Sequence, residues 1–96
     1  MIIVSQDKET IVNFDKVTSI YVIEDYDSKK EDIEKYNIDY STDEDINFVI
    51  GQYKTKERAK EVLQEIIKSY RQYRTAECDG YTNVLEETAV FEMPEE

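Results

Sequence analysis

Cationic side chains crowd the start of the only stretch with sustained helical periodicity, which runs from Lys54 to Arg74. The first four of them are Lys54, Lys56, Arg58 and Lys60. A helix N-terminus carries about half a positive charge and presents backbone N–H groups, so cations placed there create a site for an anion. The guanidinium of Arg58 has the geometry that binds a phosphate through two hydrogen bonds. The placement of charge therefore predicts anion binding at this helix start.

The same residues also fit a solvated helix surface. Glu61 stands three residues after Arg58, a spacing that pairs the two side chains on the helix exterior. Aromatic side chains leave a similar choice, because Tyr73 and its neighbours Tyr70 and Tyr81 either pack in a core or between subunits, or stack on nucleobases. Both interpretations stay open at this point.

Missing residue types exclude most catalytic chemistry. The chain has no His, which removes a Ser/His/Asp triad and an imidazole ligand for zinc, and its single Cys78 leaves no redox pair. Two glycines cannot form a phosphate-binding glycine loop. Asp43-Glu44-Asp45 lacks the spacing of a calcium loop. We therefore expect no enzyme, no catalytic residues, no cofactor and no bound metal.

Charge is distributed unevenly along the chain. The formal net charge is -11, yet residues 54–74 carry seven basic and three acidic side chains, a balance of +4 that leaves -15 elsewhere. A net charge this negative argues against direct binding to nucleic-acid backbones. The run from Glu24 to Asp45 has ten acidic and three basic residues. It is either a solvated face or a surface that imitates a nucleic-acid backbone.

Two further patterns bear on location. No apolar run approaches the roughly 20 residues needed to span a bilayer, and the first residues lack the basic region of a signal peptide. A lone cysteine fits a reducing compartment. We expect a cytoplasmic protein with no membrane association.

Hydrophobic periodicity predicts a single domain over residues 1–96 of class α+β. An antiparallel β-meander of about five strands should pack on one amphipathic helix, about 55–74, with one C-terminal strand after it. The predicted strands are 2–6, 10–14, 17–23, 33–41, 46–53 and 88–93. Thr55 is the predicted N-cap, and Val62, Leu63 and Ile66 should be fully buried.

The patterns within the predicted strands also predict where some strands lie and whether the protein self-associates. The strand at 17–23 has apolar residues on both faces and is predicted to be central. Imperfect alternation between Ile33 and Tyr36 allows either a bulge or a later start of that strand. The end strands should hide an edge or an apolar patch against another copy, which predicts a homo-oligomer.

Three parts of the chain carry a resemblance: MIIVSQD with IVNF at 1–7 and 11–14, GQYKTKERAKEVLQEI at 51–66, and VFEMPEE at 90–96. Through them the chain resembles small phage and prophage proteins of Gram-positive bacteria, some of which are similar to Thoeris anti-defence sponges. Those sponges are β-rich oligomers that sequester cyclic nucleotide immune signals without cleaving them. The resemblance implies that Arg58 binds phosphate and that a partner subunit completes the pocket. No basic residue follows Arg74 in the sequence. The resemblance therefore leaves Arg71 or Arg74 to supply a second cationic contact.

The leading hypothesis is therefore a phage or prophage anti-defence protein, acting in the cytoplasm of the host cell, that sequesters a cyclic nucleotide signal. The alternative is an acidic inhibitor that docks on a host defence protein such as a CRISPR effector. A third hypothesis is a small structural or assembly protein.

Overall fold

A computed structural model describes residues 1–26, 33–44, 46–79 and 89–96 of the chain. Its elements are β1 (Ile2–Val4), β2 (Ile11–Asn13), a 3-10 turn (Phe14–Lys16), β3 (Val17–Tyr26), β4 (Ile33–Thr42), β5 (Asn47–Tyr53), α1 (Lys56–Asp79) and β6 (Val90–Glu92). The α+β class is confirmed, and each predicted strand has a counterpart within a few residues.

The described strands form two three-stranded sheets rather than one meander. The long sheet has the order β3-β4-β5 with antiparallel neighbours. The short sheet has the order β2-β1-β6, in which β1 is antiparallel to β2 and parallel to β6. The predicted five-stranded meander is therefore wrong in its connectivity. A parallel pair needs a long crossover connection, and alternation along one strand does not indicate which strand it returns to.

Strand β3 lies at an edge of the long sheet, and β4 is the central strand, so the predicted position of β3 is wrong. A register shift between Val17 and Ser19 changes which residues of β3 face the core, so alternation counted from Val17 puts apolar residues on both faces. Val17 consequently packs against the core together with Ile20 and Val22. A second shift pairs Tyr26 with Ile33 and Asp25 with Lys35, which is the bulge that the sequence allowed.

Helix α1 contacts all three strands of the long sheet. Thr55 is its N-cap, as predicted, because the Thr55 Oγ1 atom accepts a hydrogen bond of 3.1 Å from the Arg58 N–H group. Val62 and Ile66 are fully buried, but Leu63 is only half-buried. Full burial of Leu63 was a wrong prediction, since the residue after Val62 is turned by about 100° from the line that faces the sheet.

The helix runs five residues beyond the predicted end at Arg74. Buried Ala76 extends the apolar stripe by one more turn, which accounts for the added length. In the described part of the chain, no helix is both long and apolar enough to cross a membrane.

The short sheet joins the long sheet through shared core residues and one backbone bond. Ile3, Val12 and Met93 belong to the same buried cluster as the inner face of the long sheet. The Gln6 N–H group donates to the Ile50 carbonyl oxygen at 3.0 Å. Gly51 lies inside β5, where an added Cβ atom would come within 2.9 Å of the Met93 Cε atom. This glycine makes room for the side chain of Met93.

Candidate functional site

A cavity of about 490 Å³ opens where β5 leads into α1. Its volume lies in the range of about 300–1,000 Å³ that is usual for small-molecule sites. Three cationic side chains, four neutral polar residues and two glutamates line it: Lys35, Lys54, Arg58, Gln6, Gln52, Tyr53, Thr55, Glu95 and Glu96. It is named here the helix-start cavity.

Strand register and the first helical turn bring the three cations together. Lys54 lies in the bend that follows β5, and Arg58 lies one turn into α1. Lys35 comes from β4: its neighbour Tyr36 pairs with Tyr53 at the end of β5, so Lys35 stands one residue beyond that end. The antiparallel register thus places two lysines, far apart in the sequence, at one rim of the cavity.

Arg58 is held by three contacts. Its Nε atom donates to the main-chain oxygen of Glu96 at 2.9 Å. Its Nη1 atom lies 3.6 Å from Glu65 Oε1 and 3.9 Å from Glu61 Oε1. The pairing with Glu61 confirms the surface contact predicted from the three-residue spacing. These carboxylates are largely exposed, so the ion pairs contribute little to stability but orient the guanidinium.

Tyr53 forms the floor of the cavity. The residue is buried, and its hydroxyl group donates to the Pro94 carbonyl oxygen at 2.9 Å. Burial raises the pKa of Tyr53 to about 12; nearby Arg58 opposes the shift and Glu65 adds to it. The phenol therefore keeps its proton far above neutral pH and acts as a hydrogen-bond donor.

Gln6 connects the cavity to both sheets through its side-chain amide. The Oε1 atom accepts from the Gln52 N–H group at 2.7 Å, and the Nε2 atom donates to the Gln52 carbonyl oxygen at 2.9 Å. The same Nε2 atom donates to the Glu95 carbonyl oxygen at 2.8 Å. The side-chain amide of Gln6 thus bonds both main-chain groups of Gln52 at the edge of β5. No sequence pattern singled out Gln6, Lys35 or Tyr53, because their positions depend on strand register.

The other predicted ligand-binding residues lie outside the cavity lining. Lys56 is exposed, and so are Arg71 and Arg74. The last two follow Arg58 by 13 and 16 residues, which corresponds to about 20 and 24 Å along a helix axis. Tyr73 is half-buried and packs against the hydrophobic core. Of the six predicted residues, the structure brings only Arg58 and Lys54 together.

The described acidic residues between 24 and 45 lie mainly at the two ends of the long sheet. Glu24 and Asp25 lie near the end of β3, while Asp43 and Glu44 follow the opposite end of β4. Lys35, the partner of Asp25, is eight positions before Asp43, a step that corresponds to roughly 26 Å of extended strand. Residues 27–32 and 45, which belong to the predicted acidic surface, are outside the described residues.

Asp39 departs from the prediction of a solvated acidic face. It lies on the face of the long sheet opposite α1, named here the outer face, and is only 9% exposed. Burial raises the pKa of its carboxyl group, and the negative charge of Asp25 adds to the shift. The buried Oδ1 atoms of Asp39 and of Asn37, two residues earlier, have no hydrogen-bond partner among the described residues. Exposed Ile23 and Val49 flank them.

No group of three His, Cys, Asp or Glu side chains that could hold a metal ion occurs within the described ranges. No protein-family model, curated protein or solved structure matches this chain. The geometry of the helix-start cavity is therefore the main basis for a functional proposal.

Proposed function

We propose that this chain is a phage or prophage anti-defence protein that binds a cyclic nucleotide signal in the helix-start cavity and sequesters it without cleavage. The observation that carries the proposal is the convergence of Lys35, Lys54 and Arg58 on one cavity at a helix N-terminus. The phage origin rests on the sequence resemblance alone, whereas the class of ligand rests also on the cavity.

Phosphate suits the cavity because charge and dipole favour an anion at the same point. Three cations face two glutamates in the lining, and the N-terminus of α1 adds its partial positive charge. The amides of Gln6 and Gln52 offer donors and acceptors for the neutral parts of a nucleotide. Tyr53, with its pKa of about 12, supports binding rather than proton abstraction at neutral pH.

The proposal includes self-association, in which a partner subunit completes the pocket. Exposed apolar side chains on both sheets support it, since Ile11 and Val90 lie on the short sheet and Ile23 and Val49 on the long one. Light scattering at micromolar concentration should report a multiple of the 11.4 kDa chain mass. A mass of one chain at every concentration would contradict this part of the proposal.

A thermal-shift screen against cyclic dinucleotides, cyclic trinucleotides and cyclic ADP-ribose isomers tests the ligand class. A ligand present at a hundredfold excess over its Kd should stabilise the protein by about 2.7 kcal/mol. Mass spectrometry of the ligand released by denaturation should then find its mass unchanged. No stabilisation by any of these compounds, or a cleaved product, would contradict the proposal.

The acidic-inhibitor hypothesis makes the opposite prediction in a defence-inhibition assay. There Arg58→Ala should be silent, and replacing Asp43, Glu44 and Asp45 by lysine should abolish inhibition by slowing association. On the proposed function, Arg58→Ala abolishes inhibition and the lysine variant keeps it.

A further inference from the structure

Three successive main-chain oxygens, those of Pro94, Glu95 and Glu96, accept hydrogen bonds from three side chains of the cavity. Tyr53 donates to the first at 2.9 Å, Gln6 to the second at 2.8 Å and Arg58 to the third at 2.9 Å. Residues 94–96 are named here the strap. All three donors line the helix-start cavity, and so do the last two residues of the strap.

The strap is attached less firmly than the strand before it. Strand β6 ends at Glu92, and the Met93 N–H group makes the last backbone bond of this region, to the Val4 carbonyl oxygen at 3.0 Å. The strap itself is held by side chains. Its ion pair, between Lys8 Nζ and Glu95 Oε1, spans 3.9 Å and joins two exposed side chains. Water can replace these bonds, so the strap can leave while β6 stays paired.

A phosphate and the strap would use the same donor. The Arg58 Nε atom is engaged by the main-chain oxygen of Glu96, and a phosphate oxygen would form a charge-assisted bond to the same donor. The carboxylates of Glu95 and Glu96 repel an anion at this point, so the strap and an anion bound to Arg58 exclude each other there.

We propose that the strap occupies part of the ligand site in the free protein and that anion binding to Arg58 displaces Pro94–Glu96. This inference rests on the proposed function, because it concerns the same cavity. Closing the cavity with the chain's own residues makes the affinity for an anion depend on the ease with which the strap leaves.

Nuclear magnetic resonance of the full chain, labelled with ¹⁵N, tests the displacement directly. Inorganic pyrophosphate serves as the probe, added at constant ionic strength. The Arg58 Nε–H signal should shift, and the amide signals of Glu95 and Glu96 should become those of a mobile segment with the same midpoint. A merely structural strap would keep its order throughout the titration.

Pro94→Gly loosens the strap without changing the charge of the chain. Glycine gives the released strap more conformational freedom, so the variant should bind pyrophosphate about two- to fivefold more tightly than the parent. Thr42→Gly serves as the control, because it places a glycine at the far end of β4 and also leaves the charge of the chain unchanged. Its affinity should match that of the parent.

The possible results distinguish a failure of the strap proposal from a failure of the proposed anion site. A shift of the Arg58 signal while Glu95 and Glu96 stay ordered would overturn the strap proposal and leave the anion site standing. Binding detected only in Pro94→Gly would support the strap as a competitor. An unchanged Arg58 signal in both proteins would overturn the anion site and, with it, the strap.

Discussion

The polar side chains of the helix-start cavity and the two buried polar side chains of the outer face, Asn37 and Asp39, differ in their hydrogen bonding. In the cavity, the hydroxyl group of Tyr53, the amide of Gln6 and the Nε atom of Arg58 have hydrogen-bond partners at 2.7–2.9 Å. On the outer face, the buried Oδ1 atoms of Asn37 and Asp39 have none among the described residues. An unpartnered buried acceptor costs about 1–3 kcal/mol. The cavity side chains are therefore oriented by their hydrogen bonds, whereas Asn37 and Asp39 each bury an acceptor without a partner among the described residues.

The sign of charge separates the two regions further. The cavity lining contains three cations, and its two carboxylates belong to the strap residues Glu95 and Glu96. The outer face buries the carboxyl group of Asp39, whose charged form is disfavoured there. An anionic ligand is attracted to the first region and repelled by the second, which is why the proposal concerns the cavity.

The largest expected effect comes from Ile66, whose side chain is fully buried in the core between the helix and the sheets. Ile66→Ala should lower the free energy of unfolding by about 2–5 kcal/mol, because it leaves a cavity in the core. Leu63→Ala is the matched control, and its half-buried side chain should cost clearly less. Urea denaturation measures both variants. Equal losses would contradict the observed orientation of the helix.

Tyr53→Phe should have an intermediate effect, about 1 kcal/mol near pH 7, because it removes the hydrogen bond to Pro94. The sign of its pH dependence follows from the raised pKa. Below pH 10 the phenol is protonated in both the folded and the unfolded chain. Between pH 10 and about 12 the unfolded chain loses the proton first, so the contribution of Tyr53 to stability falls.

The parent should therefore lose its advantage over Tyr53→Phe as the pH rises from 10 to about 12. Denaturation curves collected across that interval measure the difference. A constant difference would show that the hydroxyl group of Tyr53 is hydrated in the folded protein.

Asp39→Asn should have the smallest effect, because it removes the buried charge but keeps the unpartnered oxygen. Folding raises the pKa of Asp39, so the ionised carboxylate destabilises the folded protein at pH 7 and the variant should melt higher than the parent. The difference should shrink in acid as the parent takes up its proton. Asp43→Asn, at an exposed turn, is the control and should leave the melting temperature unchanged. A lower melting temperature for Asp39→Asn would contradict this account of the outer face.

The sequence predicted the local elements well and their pairing poorly. Alternation and three- or four-residue spacing depend on nearby residues, which is why the strands, the N-cap Thr55 and the buried Val62 and Ile66 agree with the structure. The parallel pairing of β1 with β6 and the register shift after Val17 depend on distant contacts. No local pattern encodes them.

The same distinction applies to the site. The clustering of charge at the helix start indicated Arg58 and Lys54, which both line the cavity. Lys35 reaches it only through the register of β4 with β5, and Gln6 through hydrogen bonds to a residue 46 positions away. The family resemblance also implied a second cationic contact from Arg71 or Arg74, and Arg71 lies about 20 Å farther along the helix.

The most direct test compares Arg58 with Arg71 by isothermal titration calorimetry, using the cyclic nucleotide that gives the largest thermal shift. Loss of a charge-assisted phosphate contact should weaken binding to Arg58→Ala by about 1.5–3 kcal/mol, or roughly ten- to a hundredfold. The melting temperature of the free protein should change by no more than about 2 °C, because the ion pairs of Arg58 are exposed. Arg71→Ala should bind like the parent. Unchanged binding by Arg58→Ala, or an equal loss in both variants, would contradict the assignment of the ligand site to the helix-start cavity.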